Sequence, residues 1–183
     1  MRIFGGRWAG MELLSPGERV RPTVEPLRDA VMRRLGTEVL GARVLDLFAG
    51  TGAVGLEALS RGARSCDFVE NGTSAIHALK GNVAKVRVKE RARIYLKDVI
   101  PFVEHLEAGR YDLAYCDPPY GSKKLDRVVA QWRKVPFARI LVVEHAPDHV
   151  LDLDPATVVA TLRVDDAMVT ILQATALPVQ PAA

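Results

Sequence analysis

The feature that most constrains the fold is an alternation, from residue 43 onward, between short apolar runs and stretches with helical periodicity. Short apolar runs separated by helices are typical of parallel strands that helices cover on both faces. The last two strand-like runs are separated only by Asp165 and Asp166, which predicts an antiparallel hairpin at one edge. We therefore predict an α/β fold with a mostly parallel, seven-stranded sheet. The predicted strands are 43–48, 65–70, 92–97, 111–116, 139–144, 157–164 and 167–174, and the clearest helices are 53–61 and 73–86.

A smaller unit precedes this alternation. Residues 2–14 combine two short apolar stretches with a glycine-rich turn, which predicts a small hairpin. A helix follows, with Thr23 as the expected N-cap and Gly36 as the expected stop. We predict two units, an N-terminal extension over residues 1–38 and a main domain over residues 39–183. The apolar residues at helical spacing in the extension are Val24, Leu27, Val31 and Leu35.

Composition excludes several classes of protein. A chain of 183 residues, 49% of them apolar, can bury a core without a disulfide or a structural metal. No apolar run approaches the roughly 18 residues that a membrane span needs, and the N-terminus lacks the apolar core of a secretory signal. Cys66 and Cys116 stand in apolar stretches without metal-binding spacing to each other or to the four histidines. We expect a soluble cytoplasmic protein, without a metal and most simply a monomer.

Positive charge is concentrated in two segments. Residues 80–97 carry seven Lys or Arg against one acid, and residues 121–139 carry six against Asp126, although the net charge is only +3. Clustered positive charge on part of a domain is typical of proteins that bind a polyanion such as a nucleic acid. An ordinary solvated lysine-rich face is the alternative.

A glycine motif stands between the first predicted strand and helix. Gly50, Gly52 and Gly55 form GxGxxG, which lets the backbone approach a ligand at a helix N-terminus. Glu70, at the end of the next strand, is placed to accept ribose hydroxyls. Asp46 would repel a pyrophosphate but suits a cationic ligand, which favours S-adenosylmethionine over a dinucleotide. A carboxylate stands at or near the end of each of the first five strands: Asp46, Glu70, Asp98, Asp117 and Glu144.

The most specific signal is the sequence Asp117-Pro118-Pro119-Tyr120 after the fourth predicted strand. An exocyclic amine on a nucleobase is a poor nucleophile because its lone pair is delocalised into the ring. The Asp117 carboxylate and the Pro118 carbonyl can accept its two hydrogens and align it for methyl transfer. Tyr120 offers a ring on which an extruded base can stack. Asp98 is positioned to accept the adenine amino group of the cofactor.

These motifs resemble the amino-directed class I methyltransferases, and the N-terminal sequence narrows the resemblance. Residues 2–10 (RIFGGRWAG) and 15–23 (SPGERVRPT) are similar to the RsmD family, which methylates the N2 amine of a guanine in 16S ribosomal RNA. The resemblance covers residues 1 to about 146 and implies a Rossmann-like methyltransferase fold with S-adenosylmethionine as cofactor. It also implies 16S rRNA as partner, within a small ribosomal subunit or an assembly intermediate.

The resemblance assigns roles to individual residues. It implies that the catalytic loop is Asp117 to Tyr120 and that other residues contact the cofactor or the RNA. The methionine end and backbone of the cofactor would contact Asp46, Phe48, Gly50, Thr51 and Gly52, its ribose Glu70, and its adenine Asn71, Asp98 and Val99. RNA would contact Arg2, Arg7, Arg21, Thr23 and Arg28. Lys123 and Lys124, directly after the catalytic loop, are further candidates for a phosphate contact.

Three alternatives remain at this point. The same chemistry could act on another amine, such as adenine N6 in DNA, because the Asp-Pro-Pro-Tyr sequence serves either base. A nicotinamide-dependent oxidoreductase would also use GxGxxG, but it leaves Asp46 and Asp117 unexplained. A non-catalytic RNA-binding or assembly module would keep the fold without needing the four acids at the strand ends, Asp46, Glu70, Asp98 and Asp117.

Overall fold

The computed structural model describes residues 1–15, 24–119 and 121–175. Its elements follow the predicted alternation closely, with bounds that differ by one residue at most. The strands are β1 Arg43–Leu47, β2 Ser65–Glu70, β3 Ala92–Leu96, β4 Tyr111–Cys116, β5 Ala138–His145, β6 Val158–Val164 and β7 Ala167–Gln173. The helices are α1 Val24–Leu35, α2 Ala53–Ser60, α3 Thr73–Lys85, α4 Val99–Glu104 and α5 Lys124–Lys134.

The sheet has the strand order β3-β2-β1-β4-β5-β7-β6. Strands β1 to β5 are parallel, whereas β7 runs antiparallel to β5 and β6 runs antiparallel to β7. This confirms the predicted mostly parallel sheet with an antiparallel edge hairpin. The strand order reverses between β1 and β4, and ligands of open α/β sheets bind outside the carboxyl ends of the strands at such a point.

Helices cover both faces of the sheet. The core on one face joins α1, α2 and α3 to strand residues such as Val44 and Phe68. The core on the other face joins α4 and α5 to strand residues such as Leu45 and Leu141. Successive strand residues enter opposite cores because side chains alternate across a strand. Among the described residues, no helix combines the length and the apolar character that crossing a bilayer requires.

The N-terminal segment forms an irregular hairpin, joined by a single antiparallel bridge between Arg2 and Glu12. The Ile3 N–H donates to the Met11 carbonyl at 3.0 Å, and a short 3-10 turn over Gly6–Trp8 lies between the two arms. The predicted α1 is present to its expected end at Leu35. Its expected N-cap, Thr23, lies outside the described residues.

Glu57 attaches the hairpin to helix α2. Its side chain is fully buried and accepts hydrogen bonds from the Phe4 and Gly5 N–H groups, both at 2.8 Å. The Arg61 Nε donates to the same carboxylate at 2.7 Å, and the Arg28 Nε lies 3.6 Å from it. A buried charge is tolerated only when partners of this kind replace water. The hairpin is therefore fixed to the helix that follows the glycine motif.

Two glycines set how closely α2 approaches β2. A Cβ on Gly55 would lie 2.3 Å from the Phe68 ring and 2.5 Å from the Cys66 sulfur. A Cβ on Gly52 would lie 2.3 Å from Leu79, and Gly52 also has a φ of +79°. Gly55 is required because a side chain would push α2 away from β2. Gly52 is required because a side chain would meet Leu79 of α3 and would be strained at a positive φ.

We predict that Gly55→Ala destabilises the protein by about 1–3 kcal/mol, because the added methyl group overpacks a buried contact. The matched control is Gly81→Ala in α3, where the added Cβ would meet only the tip of the half-exposed Leu14 side chain. That variant should be neutral or up to about 1 kcal/mol more stable, since alanine favours the helix. Urea unfolding of both variants measures the difference. Equal effects would contradict the close approach of α2 to β2.

Candidate active site

The five strand-end carboxylates lie along one rim of the sheet, but in different surroundings. Asp46, in β1, and Glu144, in β5, are buried, with 2% and 4% of their surfaces exposed. Glu70 ends β2, Asp98 follows β3, and Asp117 follows β4, and all three are partly exposed. The topology therefore brings together the carboxylates that the sequence predicted to share an edge.

Asp46 is buried near the carboxyl end of β1. Its Oδ2 accepts a hydrogen bond from the Gly55 N–H at 2.9 Å, near the start of α2. Burial, with a smaller contribution from the charge of Glu70, raises the pKa of Asp46 to about 7. A carboxyl group in this state gains from a cationic ligand, because a positive charge offsets the cost of ionising it away from water.

Glu70 is held in place by three backbone N–H groups. Gly50 donates to Oε2 at 2.9 Å, and Asn71 and Gly72 donate to Oε1 at 2.9 and 2.6 Å. Each carboxylate oxygen has two lone pairs, so Oε2 can accept one further hydrogen bond. The carboxylate can receive one ribose hydroxyl there without rearrangement. A second hydroxyl requires the release of one N–H at Oε1.

Asp98 caps helix α4 and faces a lysine. Its Oδ1 accepts from the Ile100 N–H at 3.0 Å, and Oδ2 lies 3.4 Å from both the Asn71 amide and the Lys124 ammonium. The hydrogen bond from the Ile100 N–H holds the pKa of Asp98 below its ordinary value, and the charge of Lys124 makes a smaller contribution in the same direction. Asp98 is thus an ionised acceptor beside the buried first residue of α4, Val99.

The segment between β1 and α2 is strongly bent. Phe48, Gly50 and Gly52 all have positive φ angles, of 59°, 54° and 79°. Such angles are unusual for a residue with a side chain, so Phe48 is held in this conformation by its surroundings. Its ring is half-buried and lies 5.7 Å from the Lys124 ammonium. Thr51 is buried beside Met1, with 3.6 Å between its hydroxyl and the methionine sulfur.

The predicted catalytic loop starts directly at the end of β4. Asp117 is partly exposed, Pro118 is buried and Pro119 is exposed. The Pro119 carbonyl accepts a hydrogen bond from the Ser122 N–H at 3.3 Å, which turns the chain toward α5. Tyr120, the predicted stacking residue, lies outside the described residues.

A cavity adjoins this loop on the β5 side. Pro118, Pro119 and Ser122 line one wall, and Glu144, His145 and His149 line the other. The Tyr115 hydroxyl donates to the Glu144 carboxylate at 3.0 Å, inside the core. The His149 Nε2 lies 2.8 Å from the Asp126 carboxylate and ties the segment after β5 to α5.

The predicted RNA contacts have different positions in the structure. Arg2, Arg7 and Lys123 are exposed and remain candidates. Arg28 is 1% exposed, and its Nη2 donates to the Arg2 carbonyl at 2.5 Å, so its side chain supports the hairpin and we no longer assign it to RNA. Lys124 is half-buried against Asp98 and Phe48, so it lies on the β3 side of the rim. Two further candidates, Arg21 and Thr23, lie outside the described residues.

Sequence reasoning missed several polar residues that organise the site. Asn82 is fully buried in α3, donates to the Thr51 carbonyl at 2.9 Å and accepts from the Leu14 N–H at 2.7 Å. It connects the glycine segment to the hairpin. The only sequence signal was a polar residue on an apolar helix face, as with Glu57 in α2. Within the described part of the chain, no group of three or more His, Cys, Asp or Glu side chains is arranged to hold a metal ion.

Comparison with known families gives a match over most of the chain. Residues 1–165 match the family described as conserved hypothetical protein 95. YlbH of Bacillus subtilis is 32% identical over 152 residues, which are 79% of this chain and 82% of the relative. Ribosomal RNA small subunit methyltransferase D of Escherichia coli is 32% identical over 132 residues, which are 70% of this chain and 65% of the relative.

Solved structures have the same architecture. The yhhF protein of Escherichia coli superposes with a TM-score of 0.81 at 26% identity, covering 94% of this chain and 97% of that one. The 16S rRNA N2 methyltransferase RsmC of Thermus thermophilus, in complex with AdoMet and guanosine, has a TM-score of 0.65 at 24% identity, covering 86% of this chain and 44% of that one. At that identity the second likeness concerns the fold alone.

We predict that Asp46→Asn makes the free protein more stable, and more so at alkaline than at acidic pH. The folded-state pKa of about 7 lies above the ordinary value near 4, so ionisation of Asp46 lowers stability progressively as pH rises from 4 to 7. The amide removes this cost, which is on the order of 4 kcal/mol at pH 8 and roughly 1–2 kcal/mol at pH 5. Denaturant unfolding at both pH values measures it. An effect that does not change with pH would contradict the buried ionisation.

Proposed function

This chain belongs to the RsmD family, described as conserved hypothetical protein 95, and on that premise we propose that it transfers a methyl group from S-adenosylmethionine to the exocyclic N2 amine of a guanine in 16S ribosomal RNA. The observation that carries the proposal is the family match over residues 1–165, which includes the Asp117-Pro118-Pro119 turn at the end of β4. Relatives named for small-subunit rRNA methylation support the substrate class.

The residues at the β1, β2 and β3 ends fit S-adenosylmethionine, which supplies an electrophilic methyl group on a sulfonium. The buried Asp46 favours a ligand with positive charge and no phosphate, and the methionine end of the cofactor has both properties. Glu70 can accept a ribose hydroxyl at Oε2, since this oxygen has a second lone pair beside the one that accepts from the Gly50 N–H. Asp98 and the Val99 N–H would hold the adenine edge.

Lys124 gives the cofactor side a counter-charge. It lies 3.4 Å from Asp98 and 5.7 Å from the centre of the Phe48 ring. An adenine amino group that binds Asp98 would share the carboxylate with this ammonium. Because α5 begins at Lys124 and follows the catalytic loop, the contact connects the adenine side of the site to the substrate side.

Asp117 and Pro118 would prepare the amine. The N2 lone pair of guanine is delocalised into the ring, so the nitrogen must become more tetrahedral before it reacts. The Asp117 carboxylate and the Pro118 carbonyl, as acceptors for the two N2 hydrogens, would favour that geometry and aim the lone pair. The methylated nitrogen is acidic and loses one proton to Asp117 or to water, so no stronger base is required.

The RNA would lie on exposed basic residues, of which Lys123 directly follows the catalytic loop. Arg2, Arg7 and Lys123 are exposed, and most of the basic residues of 80–97 are exposed as well. Phosphate contacts of this kind would position a large RNA without choosing the base. We propose a small ribosomal subunit or an assembly intermediate as the substrate, bound by a monomer of this chain.

The direct test uses methyl-labelled S-adenosylmethionine with small ribosomal subunits from a strain that lacks the modification. Naked 16S rRNA and duplex DNA serve as alternative substrates, and the products are digested and identified as nucleosides. Label in N2-methylguanosine from the subunit supports the proposal. Label in N6-methyladenine would show that the methylated base is adenine and not guanine. Absence of label from every nucleic acid would contradict the activity.

We predict that Asp117→Ala lowers the rate of methyl transfer more than tenfold while the affinity for S-adenosylhomocysteine stays within about twofold. The reason is that Asp117 would orient the amine and not the cofactor. Asp166→Ala, which removes an exposed carboxylate in the β6–β7 turn, is the matched control and should retain wild-type activity. Retention of more than a tenth of the rate by Asp117→Ala would rule out this role.

A further inference from the structure

We infer that Glu144 selects guanine over adenine by accepting a hydrogen bond from the base N1–H while Asp117 orients the neighbouring amine. The inference rests on the proposed function and deepens it, because it names the group that reads the base. Glu144 lines the cavity beside the catalytic loop together with Pro118 and Pro119.

Strand register places the two carboxylates side by side. Cys116 of β4 is paired with Val143 of β5 in a parallel ladder, so the next residues along the two strands are Asp117 and Glu144. Neighbouring parallel strands lie about 4.8 Å apart. Both carboxylates are also close enough to Tyr115 to add to the effect of burial, which raises the pKa of its phenol. Asp117, directly after β4, therefore adjoins Glu144, which lines the cavity.

A hydrogen bond from Tyr115 sets the orientation of the Glu144 carboxylate. Tyr115 is 1% exposed and its hydroxyl donates to Oε2 of Glu144 at 3.0 Å. Because burial keeps this phenol protonated, it remains a donor across the working pH range. The bond holds the carboxylate at the end of β5, where only 4% of the Glu144 surface is exposed. A carboxylate held in this way acts as a directional acceptor.

His145, which also lines the cavity, adds no positive charge beside Glu144. The His145 Nδ1 lies 2.9 Å from the Ala146 carbonyl, so it must donate, and Nε2 lies 2.9 Å from the Thr170 hydroxyl and accepts from it. Burial lowers the pKa of His145, which keeps this ring neutral. The adjacent segment is fixed by the contact of His149 with Asp126. The cavity therefore combines an acidic acceptor with a rigid wall.

This arrangement distinguishes the two bases that carry exocyclic amines. In guanine the N2 amine is next to N1–H, which is a donor, whereas in adenine the N6 amine is next to N1, which is an acceptor. With the amine at Asp117, the neighbouring ring nitrogen faces Glu144. A carboxylate binds the guanine N1–H and repels the adenine N1 lone pair. The same loop sequence could serve either base, and Glu144 would decide between them.

The first test uses 2-aminopurine, which keeps the N2 amine of guanine but has an unprotonated N1 and no O6. After the methylated nucleotide has been mapped, small subunits are reconstituted with a synthetic RNA segment that carries guanine or 2-aminopurine at that position. We expect wild-type kcat/KM to be about 10- to 100-fold higher for guanine, as is typical of a hydrogen bond to a charged group. A ratio near one in the wild-type protein would overturn the inference.

Glu144→Gln tests the residue directly. The Tyr115 hydroxyl can still donate to the amide oxygen, and the amide NH2 is a donor where the carboxylate offered an acceptor. We expect the guanine to 2-aminopurine ratio to fall at least tenfold, with affinity for S-adenosylhomocysteine unchanged. If Glu144 had only a general structural role, its replacement would lower kcat/KM equally for both substrates and leave the ratio unchanged. That result would overturn the inference.

The matched control is Asp148→Asn, which neutralises an exposed carboxylate four residues further along the chain. It should keep the wild-type ratio. Failure of the wild-type protein to methylate any guanine in the subunits would contradict the proposed function itself. Methylation of guanine with an unchanged ratio in Glu144→Gln would contradict only the assignment of Glu144.

Discussion

The buried carboxylate of Glu57 is the interaction on which the arrangement around the site depends. It receives the Phe4 and Gly5 N–H groups and lies between the guanidinium groups of Arg61 and Arg28. Removal of the Arg61 guanidinium would break the shorter of the two ion pairs of this carboxylate, and breaking a buried ion pair costs several kcal/mol. The N-terminal hairpin and α2 therefore behave as one body. Because α2 begins at the glycine segment, the hairpin is fixed relative to the proposed cofactor site.

The strand-end carboxylates differ because their surroundings differ. Asp46 is desolvated and its pKa is raised to about 7, whereas the Ile100 N–H and Lys124 lower the pKa of Asp98. Glu70 is held by backbone N–H groups. One chemical group, the carboxylate, thus supplies a charge-sensitive group and two fixed acceptors along one rim. Such separation of carboxylates by environment is typical of functional sites.

The rim has two halves that meet where the strand order reverses. The β1, β2 and β3 ends carry the residues proposed to hold the cofactor, and the β4 and β5 ends carry Asp117 and Glu144. Lys124 connects the halves, since it starts α5 after the catalytic loop but contacts Asp98 beside α4. Substitutions in one half would therefore change substrate selection or cofactor binding separately. Lys124 is the exception, because it connects the two halves.

The secondary-structure elements and the edge at which the carboxylates lie could be predicted from local sequence patterns. Apolar periodicity and turn residues act over a few neighbouring positions, so strands such as Ser65–Glu70 and Tyr111–Cys116 could be predicted to the residue. The surroundings of individual side chains depend on the folded arrangement of the whole chain. Arg28 looked like a surface charge and is buried against the hairpin, and Lys124 faces Asp98, 26 residues away. Burial and charge pairing depend on contacts between distant segments, and no local pattern records them.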